Sequence, residues 1–136
     1  MIAENTPTPA VTSREKLDAI SSKVIGAAYR VNSELGWGFL EKVYENSLLV
    51  ELQELHMQVE QQPSVDVCYK GRVVGVYVPD LLVANELLVE VKAVASLMPQ
   101  HRQQCLNYLR ATGHRVCLLL NFGRPRLELK RFVWQF

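Results

Sequence analysis

Two carboxylates and a lysine in neighbouring apolar segments have the types and spacing that metal-assisted hydrolysis uses. Asp80 follows Pro79 in one segment, and Glu90 and Lys92 lie two residues apart in the next. Because residues i and i+2 of a strand point to the same face, Glu90 and Lys92 project together. Two carboxylates can hold a hard cation such as Mg²⁺, and a neighbouring lysine can stabilise negative charge that develops on a phosphate. The three side chains therefore indicate phosphodiester hydrolysis.

The hairpin between the two segments decides whether this site can form. Directly opposed residues of an antiparallel pair share a face of the sheet. A two-residue turn would set Asp80 opposite Val91, on the wrong face, whereas a three-residue loop at residues 84–86 would set Asp80 opposite Glu90. The metal hypothesis therefore requires the three-residue loop or a bulge.

Hydrophobic periodicity predicts the elements that position these residues. The predicted order is two helices, three strands, a helix and two strands. The helices run from about residue 13 to Gly36, from about Leu40 to His56 and from about Gln100 to Ala111. The strands lie at residues 65–69, 73–84, 87–94, 116–122 and 127–134. This order predicts an α/β fold with one mixed central sheet flanked by helices. On the second helix, the predicted buried positions are Leu40, Val43, Tyr44, Leu48, Leu52 and Leu55.

Size and composition indicate one domain in a reducing compartment. The 136 residues suffice for a single domain, which we expect at residues 13–136, preceded by a disordered leader at residues 1–12. No apolar run is long enough to span a membrane. The three widely spaced cysteines form neither a disulfide framework nor a zinc motif, which favours a cytoplasmic location.

The net charge of +1 does not by itself indicate a polyanionic partner such as nucleic acid. The acidic residues of a metal site would, however, offset basic residues in this sum. Basic residues do cluster late in the chain, at Arg124, Arg126, Lys130 and Arg131. They are equally consistent with a solvated surface and with a surface that binds nucleic acid.

Polar residues on two helices are further candidates for the site. Gln104 and Tyr108 are four residues apart on the third helix and share a face, which His101 can join. His101 is better explained as a helix-surface residue than as a ligand, since this chemistry prefers oxygen ligands. Glu41 lies in the first turn of the second helix, where a carboxylate is also favourable for the helix dipole alone.

Four motifs in this order resemble a known nuclease family. Residues 38–44 match the motif that names the GxxExxY family, which is similar to the PD-(D/E)XK nuclease superfamily. Pro79-Asp80 and residues 90–92 match the superfamily signature, and residues 104–108 match the Q-x-x-x-Y motif of nucleases that resemble recombination exonucleases. The resemblance implies a restriction-endonuclease-like core, metal-dependent hydrolysis of nucleic acid with DNA as the first candidate, and Mg²⁺ or Mn²⁺ as cofactor.

The resemblance also implies roles for individual residues. Glu41, Asp80 and Glu90 would contribute to the metal site, with the carbonyl oxygen of Val91 as a further ligand. Lys92 would be the catalytic lysine. The helix residues Gln104 and Tyr108 would orient the substrate or the lysine.

Other functions fit the same residues. Glu90 and Lys92 could form an ion pair without catalysis, and Gln104 and Tyr108 could be ordinary helix-surface and packing residues. A nuclease fold without activity could bind nucleic acid or a protein partner. A third interpretation is a small assembly subunit that uses the late basic strand as an interface. So small a domain also leaves room for a homodimer or a partner that supplies target recognition.

Overall fold

The computed structural model describes residues 13–135 as a mixed α/β fold, which confirms the predicted fold class. The predicted leader, residues 1–12, lies outside the described residues. The helices are α1 (Arg14–Leu35), α2 (Glu41–Glu54) and α3 (Pro99–Thr112). The strands are β1 (Val59–Gln61), β2 (Val65–Tyr69), β3 (Arg72–Tyr77), β4 (Leu81–Val83), β5 (Leu87–Lys92), β6 (Val116–Asn121) and β7 (Glu128–Val133).

A five-stranded mixed sheet forms the centre, in the order β1-β4-β5-β6-β7. The central pair β5 and β6 is parallel, and the other neighbours are antiparallel. A parallel pair needs a long crossover, and α3 supplies it here. Residues of β5 and β6 are buried almost throughout, as expected for central strands covered on both faces.

The two faces of the sheet belong to two separate apolar cores. Alternate residues of β5 point to opposite faces, so Leu87, Val89 and Val91 pack with α1 and α2. Leu88 points the other way and packs with Cys105, Tyr108 and other residues of α3. Glu90 and Lys92 lie two and four residues after Leu88, so their side chains point to the same face of the sheet as Leu88, the face that α3 covers.

Helix α1 follows its predicted bounds. Ser13 caps it by accepting a hydrogen bond from the Lys16 N–H at 3.1 Å. Its buried side chains recur at helical spacing, at Leu17, Ile20, Ser21, Val24, Ala27, Ala28 and Val31. The helix ends at Gly36, whose φ of 69° is a conformation that glycine adopts without steric cost.

The strand count differs from the prediction. The segment predicted as one strand from Val73 to Ala84 forms β3 and β4, which belong to different sheets. Pro79 lies between them, and proline has no N–H for a strand ladder, so the chain leaves one sheet there and enters the other. The prediction also missed β1, because three residues are too few to show a period. The fold thus adds a separate two-stranded sheet of β2 and β3.

The apolar stripe predicted for α2 is only partly buried. Tyr44, Leu48 and Leu52 are fully buried as predicted. Leu40, Val43 and Leu55 are exposed, because Leu40 and Leu55 lie outside the helix as its caps and Val43 faces solvent. Within residues 13–135, no helix has the length and apolar character needed to cross a lipid bilayer.

Candidate active site

The hairpin between β4 and β5 has the three-residue loop that the metal hypothesis requires. Val83 pairs with Leu87, and the loop N–H of Glu86 donates to the Val83 carbonyl at 3.0 Å. Ala84 and Asn85 both adopt left-handed conformations, with φ of 53° and 58°. This register, continued two residues beyond Leu82, sets Asp80 opposite Glu90 and on the same face.

Two hydrogen bonds tie Asp80 to the facing strand, one to Glu90 and one to Val91. The Asp80 N–H donates to Glu90 Oε2 at 2.7 Å, and the Val91 N–H donates to Asp80 Oδ2, also at 2.7 Å. The Asp80 carbonyl accepts from the Gln62 N–H at 2.7 Å, which ties the segment to the end of β1. The two carboxylates are therefore fixed next to each other by backbone groups rather than held by flexible contacts.

Burial makes this carboxylate pair expensive to ionise. Glu90 is only 2% exposed, and burial, followed by the charge of Asp80, raises its pKa well above its usual range. Burial also raises the pKa of Asp80, against the opposing effect of the Val91 hydrogen bond. Lys92 favours the ionised form of both groups but does not offset these effects. Two adjacent carboxyl groups that resist ionisation on their own suit a divalent cation, because its positive charge favours their ionised form and carboxylate oxygens are the ligands it prefers.

The structure brings together part of the predicted ligand set. Asp80, Glu90 and the peptide group of Val91 lie side by side. Among the residues that the structure describes, however, no group of three or more His, Cys, Asp or Glu side chains is gathered closely enough to hold a metal ion. The contribution of Glu41 and of the Val91 carbonyl oxygen to a metal site therefore stays a prediction.

Glu41 and Glu45 lie one helical turn apart on α2 and act on Asp80 through their charge. Both raise the pKa of Asp80, Glu45 more than Glu41. Glu41 is exposed, whereas Glu45 is 2% exposed and accepts hydrogen bonds from Lys42, Gln61 and Gln62 at 2.8–3.3 Å. Sequence analysis missed Glu45, although its spacing of four residues from Glu41 places the two on one helix face.

Helix α3 brings Gln104 and Tyr108 to the same side of the sheet as Glu90. Tyr108 is 5% exposed, and Gln104 Nε2 donates to its hydroxyl at 3.1 Å. Burial raises the pKa of Tyr108, and the charges of Glu90 and Asp80 raise it further. The tyrosine hydroxyl thus stays protonated beside the carboxylates and can donate a hydrogen bond. His101 instead caps α3 by accepting from the Met98 N–H at 2.9 Å.

Lys92 is half-buried at the end of β5, where an asparagine anchors the strand exit. Asn121 is fully buried opposite Lys92 in the β5–β6 ladder. Its side chain accepts from the N–H groups of Val94 and Gly123 and donates to the Val94 carbonyl and Glu128, at 2.9–3.1 Å. This network holds the backbone on which Lys92 sits.

Comparison with known proteins identifies the family. A family model of the PD-(D/E)XK nuclease superfamily matches residues 18–132, and the chain belongs to that superfamily. Its members generally use divalent metal ions. No curated protein sequence matches the chain.

A solved structure supports the fold. The chain is similar to an alkaline exonuclease (LHK-Exo) from Laribacter hongkongensis, with a TM-score of 0.51 and 12% identity. The match covers 90% of this chain and 71% of the exonuclease. At this identity the likeness establishes the shared fold.

Proposed function

We propose that this protein is a divalent-metal-dependent nuclease that hydrolyses phosphodiester bonds in DNA. The observation that carries the proposal is the placement of the Asp80 and Glu90 carboxylates side by side, each accepting a 2.7 Å hydrogen bond from the backbone of the facing segment, with Lys92 on the same strand face as Glu90. Membership of the superfamily supports it. We place the chain in the GxxExxY family on the match at residues 38–44, and we propose a cytoplasmic location.

Each residue has a role that follows from its chemistry. Asp80 and Glu90 would hold the cation, with Glu41 and the Val91 carbonyl completing the ligand set. A bound Mg²⁺ or Mn²⁺ supplies charge stabilisation for the scissile phosphate. The Lys92 ammonium lies beside the pair, where it would orient the attacking water and screen the phosphate. Gln104 and Tyr108 would position the substrate or the lysine by hydrogen bonding.

The decisive experiment removes the lysine. We expect Lys92→Ala to lower cleavage of plasmid and single-stranded DNA in Mg²⁺ or Mn²⁺ by about a hundredfold or more, the effect of losing ~3 kcal/mol of transition-state stabilisation. Lys92→Arg should also fail to cleave DNA, because a planar guanidinium does not replace a compact ammonium. Circular dichroism should show an unchanged fold in both variants.

Two controls make the result specific. Lys23→Ala removes an exposed lysine of α1 and should leave cleavage unchanged. EDTA should abolish the activity of the unmodified protein. Cleavage that persists at full rate in Lys92→Ala would show that another site or a contaminating enzyme is responsible.

A binding module is the second candidate, and one observation favours it. Each carboxylate of the pair already accepts a backbone hydrogen bond, and no three ligating side chains converge in residues 13–135. A fold held in this way could bind nucleic acid or a protein partner without cutting. Absence of cleavage by the unmodified protein on every DNA and RNA substrate, with binding retained, would establish this alternative. In either case a second copy or a partner could supply target recognition.

A further inference from the structure

A groove separates α3 from the β2–β3 hairpin and adjoins the candidate active site. It consists of two neighbouring cavities of about 370 Å³ and 250 Å³, and Tyr77 and Asn107 line both. Tyr108 lines the larger cavity, and Arg110 lines the smaller. The groove thus leads from the tyrosine beside Glu90 to a guanidinium further along the helix.

The helix wall of the groove presents a row of neutral amides. Gln100, Gln103, Gln104 and Asn107 line it at spacings of three and four residues, which places them on one helix face. Gln103 Nε2 donates to Asn107 Oδ1 at 3.0 Å, so the Asn107 amide keeps its own N–H donors and Gln103 keeps its oxygen acceptor. A wall with both donors and acceptors matches the edge of a nucleobase, which carries both.

The opposite wall offers an aromatic ring. Tyr77 of β3 is 38% exposed and packs edge-to-face on Tyr108, with ring centroids 5.1 Å apart. This contact fixes the ring while part of its surface stays open to the groove. Unpaired bases stack on such rings without regard to sequence.

Charge and size favour one strand over a duplex. Of the described residues that line the groove, only Arg110 is charged, so no carboxylate repels a phosphate there. The larger cavity falls within the ~300–1,000 Å³ that small ligands occupy, which fits one nucleotide and not a base-paired helix.

We propose that this groove binds an unpaired nucleotide of the nucleic-acid strand, next to the phosphate that the active site cleaves. The base stacks on Tyr77, its edge contacts Asn107 and Gln103, and Arg110 meets the adjacent phosphate. The proposal rests on the proposed nuclease function and specifies its substrate as a strand that is single-stranded at the site.

Binding without cleavage tests the groove. A fluorescein-labelled single-stranded oligonucleotide is titrated in EDTA and followed by fluorescence anisotropy, with DNA and RNA versions run in parallel. We expect Tyr77→Ala to weaken binding of the preferred strand about tenfold, as loss of one stacked base does. Tyr77→Phe keeps the ring and should bind like the unmodified protein.

Matched variants separate the groove from the rest of the surface. Tyr29→Ala removes a comparably exposed tyrosine, 45% exposed on α1, and should leave binding unchanged. Asn107→Ala, whose side chain lines both cavities, should weaken binding severalfold and serves as the second probe if Tyr77→Ala fails to fold. The same oligonucleotide as a blunt duplex should bind more weakly than the single strand.

The outcomes distinguish the groove from the nuclease function. If the unmodified protein, Tyr77→Ala and Asn107→Ala bind the oligonucleotide equally, the proposed nucleotide site in the groove is wrong, even if the protein cleaves DNA. Equal loss of affinity in Tyr29→Ala would overturn it too. Binding that depends on Tyr77 in a protein that never cleaves would support the groove and refute the nuclease.

Discussion

At the level of single residues, the buried pair Asp80 and Glu90 lowers the stability of the fold while it supplies the oxygen ligands of the candidate site. Asp80 and Glu90 lie in a buried setting that raises the pKa of both, because the nearby Lys92 does not offset the cost of ionising them there. A buried charge without full compensation costs folding free energy. Functional sites commonly carry such a cost, and removing the ionisable group commonly stabilises the protein.

Glu90→Gln should therefore stabilise the fold at high pH. Because the folded-state pKa of Glu90 is raised, its contribution to stability is greatest below the unfolded pKa of ~4.3 and is lost as pH rises toward the folded value. Glutamine keeps an oxygen for the Asp80 N–H but never ionises. We expect a Tm about 4 °C above that of the unmodified protein at pH 8, the shift that ~1 kcal/mol produces at this size.

The pH dependence is the check on this explanation. The difference in Tm between the two proteins should shrink toward zero near pH 4.5, measured by thermal unfolding in EDTA. Glu60→Gln, at an exposed glutamate of β1, should show no comparable gain. A gain from Glu90→Gln that is equal at pH 4.5 and pH 8 would contradict an origin in ionisation.

At the scale of elements, the end of β5 depends on a close approach of two chain segments. Asn121 binds the Val94 backbone through both its oxygen and its nitrogen. Gly123 lies so near that a Cβ there would fall 2.3 Å from the nitrogen and oxygen of Val94. The backbone of Val94 cannot give way without moving the strand that carries Lys92.

Gly123→Ala should consequently cost ~1–3 kcal/mol of unfolding free energy, the usual effect of an overpacked site. Cleavage should also fall, because the displaced segment follows Lys92 by two residues. Urea unfolding measures the first effect. Gly75→Ala is the matched control, since nothing lies within 4 Å of its added Cβ. Equal stabilities for the two variants would contradict the importance of the contact.

At the scale of the whole molecule, folding should be coupled to metal binding. The pair that destabilises the apo protein would bind a cation, and a ligand that binds only the folded state stabilises it. Because the ligands must be deprotonated, this effect should grow as pH rises.

Mg²⁺ or Mn²⁺ at ten times its Kd should add about 1.4 kcal/mol of stability. Thermal unfolding at pH 8 with and without the metal, and after removal by EDTA, measures the change. The Glu90→Gln protein should lose most of the response, because it lacks one of the two carboxylates. An equal response in both proteins would place the cation elsewhere.

Local patterns were sufficient for much of the fold. Hydrophobic periodicity predicted helix α1 and strand β5 within a few residues of their observed bounds. The sequence left the register of the β4–β5 hairpin open, and the observed three-residue loop meets the condition that the metal hypothesis set. The separation of β3 from β4 did not follow, because an apolar segment does not reveal which sheet it joins.

The sequence by itself determined the order of the helices, the existence of strand β5 and the candidate residues Asp80, Glu90 and Lys92, since these depend on spacing along the chain. Only the tertiary structure decided that Glu45 is buried near Asp80, that Asn121 anchors the exit of β5, and that Tyr77 faces α3 across a groove. These contacts join residues that are distant in the chain. Their geometry depends on how the two cores pack on opposite faces of one sheet, which no local period encodes.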